Sequence, residues 1–134
     1  MIVAVADTHA VIWYLYADSR LSVTARATID NAAQQGNQVA ISSITLAEIV
    51  YLAEKGRIAP ATLALTLAEL NATTSVLTEI PMDQHVITAM STIQRQDVPE
   101  LADRIIAATA LMLKVPVISR DSKIRSSNIT TIWE

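Results

Sequence analysis

The chain opens with an unbroken apolar run, Ile2-Val-Ala-Val-Ala6, closed by Asp7. A strand with one wet face alternates apolar and polar residues. A run that does not alternate fits a strand covered on both faces, the habit of parallel sheets in which crossover helices pack on each side. Such a start leaves few architectures open, and the rest of the sequence keeps to them.

Residues 10–16 follow directly as a helix. Ser22 caps a second helix over residues 23–35, stopped by Gly36, and residues 39–41 form the next strand. Ser43 opens a helix that runs through Glu54 and stops at Gly56. Pro60 suits the first position of a helix over 61–71, where Leu63, Leu67 and Leu70 make one stripe. Residues 75–80 are read as a third strand, although Thr and Glu interrupt their apolar pattern. Met82-Asp83 leads into a helix reaching about Arg95. After a polar loop with Pro99, residues 101–114 are apolar almost all round, which predicts a buried helix. Residues 117–119 and 129–132 are the last strands. Strands alternating with helices predict an α/β sandwich built on a parallel sheet.

Composition narrows the function. At 134 residues the chain is expected to be one domain, with 51% hydrophobic and 17% charged residues, far from the composition of disorder. Having no cysteine, it has no disulfide, zinc–thiolate or iron–sulfur site, nor a cysteine nucleophile. Aromatic residues are 4%, without phenylalanine, which argues against modules that stack bases on exposed rings. A net charge of −3 gives no global attraction for nucleic acid, so a phosphate-rich partner needs a local basic patch or metal ions. The apolar start is short and has no basic flank, and no apolar run approaches the ~18 residues of a membrane span. The expectation is a soluble, cytoplasmic protein.

Ligands of open parallel sheets sit beyond the carboxyl ends of the strands. Asp7 and Asp121 fall at such ends, Asp103 begins the helix of residues 101–114, and Glu48 lies mid-helix beside Ile44, Tyr51 and Leu52. Each has a structural reading of its own. Asp7 would cap the following helix, Asp103 would complement a helix dipole, Asp121 would serve a turn, and Glu48 would pair with Arg104 or Lys55. As a group they would repel one another without a cation. Acids together with the hydroxyls of Thr8 and Ser119 form the all-oxygen donor set that Mg²⁺ or Mn²⁺ prefers.

At these residues the sequence resembles the PIN-domain family, and within it the VapC-type toxins. Four stretches carry the likeness: Asp7-Thr8-His9-Ala10 with Trp13; Ser43-Ile-Thr-Leu-Ala-Glu48-Ile; Ala102-Asp103-Arg104-Ile-Ile-Ala-Ala-Thr-Ala110; and Val117-Ile-Ser119-Arg120-Asp121 with Ile124. The ending Thr131-Ile-Trp133 agrees. The resemblance implies a three-layer α/β/α sandwich with a mostly parallel sheet, and a metal-dependent ribonuclease whose acidic quartet is Asp7, Glu48, Asp103 and Asp121, with Ser119 before the last acid. It also implies a homodimer and a cognate antitoxin. Some relatives approach the third acid through a His-x-Asp-Pro-x-Asp-Arg stretch. Here residues 97–104 lack the histidine and are longer, which leaves open whether Asp97 or Glu100 assists.

In that mechanism Asp7 is the central ligand of one or two ions, Asp103 and Asp121 complete the site, and Glu48 binds through water or orients the nucleophile. Arg120, Lys123 and Arg125 are the candidate phosphate grip, with a solvated charge run as the alternative. Arg104 is read as a structural ion pair, with RNA contact as the alternative. His9 is read as a packed histidine at a helix start, with a proton shuttle as the alternative. Trp13 and Tyr14 are read as core or dimer contacts, and His85 as a surface residue. Rival classes are a phosphoacceptor receiver, which would want paired acids after the first strand, and a flavodoxin-like binder, which would want a glycine-rich phosphate loop that two glycines do not supply. A catalytically silent PIN-like RNA- or partner-binding regulator keeps the fold and drops the chemistry.

Overall fold

The computed structural model describes residues 1–125 and 127–134. Five strands, β1 (Ile2–Ala6), β2 (Gln38–Ser42), β3 (Leu77–Ile80), β4 (Val117–Ile118) and β5 (Thr131–Ile132), pair in the order β3-β2-β1-β4-β5. Every pairing is parallel, so the sheet expected to be mostly parallel is wholly so. The helices are α1 (Thr8–Leu15), α2 (Val23–Gln34), α3 (Ser43–Glu54), α4 (Thr62–Leu70), α5 (Gln84–Met90), α6 (Leu101–Leu113) and α7 (Ser122–Arg125).

The opening run explains the layers. Ala4 and Ala6 face one core with Val39, Ile41 and Ile118, against α1, α2 and Ile49 of α3; Val5 faces the other with Ala40 and Val117, against Val86 of α5 and the middle of α6. Alternate residues point to opposite faces, and both faces are dry. Each large aliphatic side chain so covered contributes roughly 1.5–3 kcal/mol relative to exposure. From β1 the chain builds outward to β2 and β3, then returns to add β4 and β5 on the other side. The order therefore reverses between β1 and β4, and a crevice opens beyond their carboxyl ends.

Helix ends follow local chemistry. α2 and α3 close on Gly36 and Gly56, both left-handed at φ +72, with the paired return bonds of a Schellman cap: Asn37 N to Ala32 O at 2.8 Å and Arg57 N to Leu52 O at 2.9 Å. α1 and α6 close in the same way on Ala17 (φ 50) and Lys114 (φ 59), where the sequence offers no glycine to announce it.

Four expectations are corrected. α5 ends at Met90, not near Arg95, because the hydroxyls of Ser91 and Thr92 donate back to the carbonyls of Thr88 and Ala89 at 2.6 and 2.7 Å and compete with further turns. α4 starts at Thr62, with Pro60 in the preceding turn, and its innermost residues are Thr62 and Thr66 rather than a leucine stripe. Thr66 is satisfied by the carbonyl of Thr62 at 2.8 Å; Leu63 and Leu70 pack partly against the core, and Leu67 is exposed. α6 is buried all round only from Ile105 to Ala110, with Leu101 and Leu111 exposed. The short α7 stands in what the sequence left as a turn after Asp121.

Candidate functional site

Asp7 follows β1 directly and is buried, 7% exposed. Its carboxylate accepts the N–H of Ala10 at 2.9 Å, so the capping role is real: Asp7 is the N-cap of α1. Burial pushes its carboxyl above the usual range, opposed by hydrogen bonds from the Ser119 hydroxyl and the Ala10 N–H. Ser119, at the end of β4 and wholly buried, also accepts the N–H of Asp121 at 2.9 Å. One hydroxyl thereby ties the loop after β1 to the loop after β4 across the crevice. Asp121 in turn accepts the N–H groups of Lys123 and Ile124 at 2.8 and 3.3 Å, capping α7.

The other two acids come from helices. Glu48 accepts a hydrogen bond from the Thr8 hydroxyl, and Thr45, one turn earlier on α3, completes the relay at 3.1 Å from Thr8. Since Thr8 gives its only proton to Glu48, Thr45 is the donor to Thr8. Glu48 thus pairs with neither Arg104 nor Lys55; Lys55 instead donates to Tyr51 at 3.3 Å. Asp103, in the first turn of α6, has its carboxyl pushed up to about 7 by burial and by the charges of Asp121, Glu48, Asp7 and Glu100. All four predicted acids line one open pocket of about 510 Å³, together with Glu100; Asp97 lines a separate hollow.

Chemically these residues suit a hard divalent cation. Carboxylates and hydroxyls are its preferred donors, and the mutual repulsion that raises Asp103 is what a cation would relieve. Among the described residues, no three Asp, Glu or His side chains are yet drawn together closely enough to hold a metal ion. The donor types fit a hard cation.

The facing wall is cationic and aromatic. Trp13, 5% exposed, carries the guanidinium of Arg120 at 4.6 Å and that of Arg20 at 5.2 Å from its ring centroid. Arg20 is gripped by Asp18, with Nη2 to Oδ2 at 2.7 Å and Nε to Oδ1 at 3.1 Å, which holds the Asp18 carboxyl down at about 2. Behind Trp13 lies Trp133 at 6.0 Å, whose backbone carbonyl accepts the Ser22 hydroxyl. His9 is exposed at the pocket, tilted against Trp13 at 5.5 Å, and is not the packed histidine expected.

Of the expected phosphate grip, only Arg120 lines the pocket; Arg125 reaches Glu134 at 3.8 Å, and Lys123 sits on α7. Arg104 donates from Nη2 to the carbonyls of Ile93 and Met90 at 3.0 and 3.3 Å. The expected ion pair is not formed among the described residues: the guanidinium binds the last carbonyl of α5 and that of Ile93 just beyond it. Sequence reasoning missed Arg20 and Thr45. Asp18-Ser19-Arg20 reads as a surface pair until the fold brings it to the pocket, whereas Thr45, three residues before Glu48, was visible by helical spacing.

The pattern of the PIN domain matches residues 4–127. Among proteins of curated function, none matches this sequence. Solved structures of the same fold include VapBC2 from Rickettsia felis bound to a promoter DNA fragment, with TM-score 0.72 and 16% identity, covering 99% of this chain and 100% of that one. FitAcB from Neisseria gonorrhoeae has TM-score 0.62 and 22% identity, covering 98% and 96%. A toxin–antitoxin complex from Klebsiella pneumoniae has TM-score 0.54 and 23% identity, covering 92% and 91%.

Proposed function

The chain belongs to the PIN-domain family, and from that premise we propose that it is a metal-dependent endoribonuclease that hydrolyses RNA phosphodiester bonds, the toxin of a toxin–antitoxin pair. The observation that carries this reading is the meeting of Asp7, Glu48, Asp103 and Asp121 in one pocket, where burial and the neighbouring charges push the Asp103 carboxyl up to about 7. Asp7, Asp103 and Asp121 would hold Mg²⁺ or Mn²⁺, with Glu48 binding directly or through water. When bound, such an ion supplies a water of lowered pKa and neutralises charge on the phosphate.

The chain's own residues prepare that chemistry. The Ala10 N–H and the Ser119 hydroxyl orient the Asp7 carboxylate, and the N–H groups of Lys123 and Ile124 orient Asp121. The Thr45–Thr8 relay orients Glu48, which would bind the ion through water or orient the attacking water. Arg120 offers the pocket a guanidinium suited to phosphate, with Lys123 and Arg125 further along α7.

An antitoxin and a second copy of the chain are the proposed protein partners. The Klebsiella pneumoniae neighbour is a toxin–antitoxin complex, and α3 and α4 here leave Val50, Tyr51, Leu65 and Leu67 exposed. Among the described residues no helix is long and apolar enough to cross a membrane, and we assign the protein to the cytoplasm, where its RNA would be.

A second reading, a catalytically silent RNA- or partner-binding regulator, draws on the acids not being drawn in to hold an ion. Cleavage of a mixed single-stranded RNA pool in Mg²⁺, Mn²⁺ or EDTA separates the two. The expected result is cleavage with either metal, none in EDTA, and a loss of about a hundredfold or more in Asp7→Asn. No cleavage by folded protein at any metal concentration would leave the regulator.

A further inference from the structure

The pocket has a polarity that the acidic quartet does not explain. Its lining carries five carboxylates, Asp7, Glu48, Glu100, Asp103 and Asp121, against two guanidiniums, Arg20 and Arg120. A polyanion is repelled by the first group and by the net charge of −3, so its approach must be governed by the second. Both guanidiniums lie within 5.2 Å of the centroid of the same ring, Trp13.

That gathering is built. Ala17, left-handed at φ 50, turns the chain out of α1 so that Asp18 N reaches Trp13 O at 2.8 Å and the following residues fold back over the ring. Asp18 then takes Nε and Nη2 of Arg20. Among the described residues Nη1 makes no hydrogen bond, so a fixed donor edge remains. Arg120 makes no ion pair among the described residues and differs from Arg20 in that respect. A guanidinium already oriented loses little freedom on meeting a phosphate, and its planar fork suits two phosphate oxygens.

We propose that Arg20 and Arg120, held on Trp13, seat the RNA phosphodiester that adjoins the one at the carboxylates, so that the strand lies across the pocket from the Trp13 wall. This rests on the RNA-cleaving reading above. Arg20 is then a substrate-binding residue outside the acidic quartet, and Asp18 its positioning residue.

The test uses Asp7→Asn as a non-cleaving parent in Mg²⁺, with a 5′-fluorescent single-stranded RNA of mixed sequence, and reads anisotropy over a range of salt. Three changes are compared in that background: Arg20→Ala, Arg20→Lys, and Arg57→Ala, which removes an exposed charge outside the pocket. Arg20→Ala is expected to weaken binding about three- to tenfold beyond Arg57→Ala and to lower the slope of log affinity against log salt by about 0.7, the share of one single-strand phosphate contact. Arg20→Lys is expected to keep the slope and recover part of the affinity. In the cleaving protein, Arg20→Ala should raise KM with kcat little changed. Arg20→Ala indistinguishable from Arg57→Ala in affinity and slope would overturn the seat while leaving the nuclease standing. So would intact RNA binding alongside lost binding of a polyglutamate peptide, which would make the wall a contact for an acidic protein segment. If wild type cleaves no RNA and the parent binds none, the RNA reading fails and this one falls with it.

Discussion

The edge of the sheet and the start of α6 both deliver carboxylates to the pocket, by opposite means. At the edge, Asp7 and Asp121 are held by backbone N–H groups as helix caps, and Ser119 bridges them. At α6, the Asp103 carboxylate has no hydrogen bond among the described residues, and burial and four other negative charges push it up to about 7. The first region spends its acids twice, on folding and on the site. The second holds an acid whose charge its surroundings oppose, and such a residue marks a site more clearly than a satisfied one.

Ser119→Ala should break the first region. It leaves the Asp121 N–H without its side-chain acceptor and the buried Asp7 carboxylate with only the Ala10 N–H, at a cost of about 2–3 kcal/mol in chemical denaturation. The loss should grow with pH as Asp7 ionises, because the missing hydroxyl served the charged form. Little change would mean that the two loops are held by other contacts.

Asp103→Asn should sharpen the contrast by acting in the other direction. The folded carboxyl titrates near 7 and the ordinary one near 3.8, so the native chain binds the extra proton between those values. Its stability therefore falls as pH rises from about 4 to about 7 and is level beyond. The asparagine variant escapes that fall. In metal-free buffer it should equal wild type near pH 4 and exceed it above pH 7 by roughly 1–2 kcal/mol, after allowance for solvent screening of a partly exposed group. A variant less stable at all pH values would make Asp103 a structural acid.

The smallest effect concerns the turn that brings Arg20 to Trp13. Ala17 adopts a left-handed conformation that glycine takes freely, so Ala17→Gly should stabilise the chain by about 1 kcal/mol, read as a raised Tm. No gain would mean that the looser unfolded chain offsets the relieved strain.

Much of this molecule was legible residue by residue. The apolar run before Asp7 announced a doubly covered strand, and Gly36 and Gly56 stopped two helices where expected. The four acids were legible from their places at strand ends and on helices, and they do line one pocket. What failed was of one kind. The leucines of α4 looked like the buried stripe, yet threonines with carbonyl partners one turn back took the inside. Arg104 beside Asp103 looked like an ion pair, yet it turned to the carbonyls ending α5. Arg20 drew no notice, because a charged residue next to a small turn is the commonest thing on a surface.

The period of each element and the start of most of them can be read from the residues alone, because apolar spacing and capping chemistry act over a few positions. The sequence also carried the kind of donor the site offers, since carboxylates and hydroxyls without cysteine favour hard cations. Long-range packing alone set the strand order, and with it the crevice between β1 and β4 that brings residues 7, 48, 103 and 121 together. It alone set the charge state of Asp103 and gathered Arg20 and Arg120 onto Trp13. Those outcomes depend on through-space distances between segments far apart in the chain, and electrostatic energy follows that distance, not separation along the backbone.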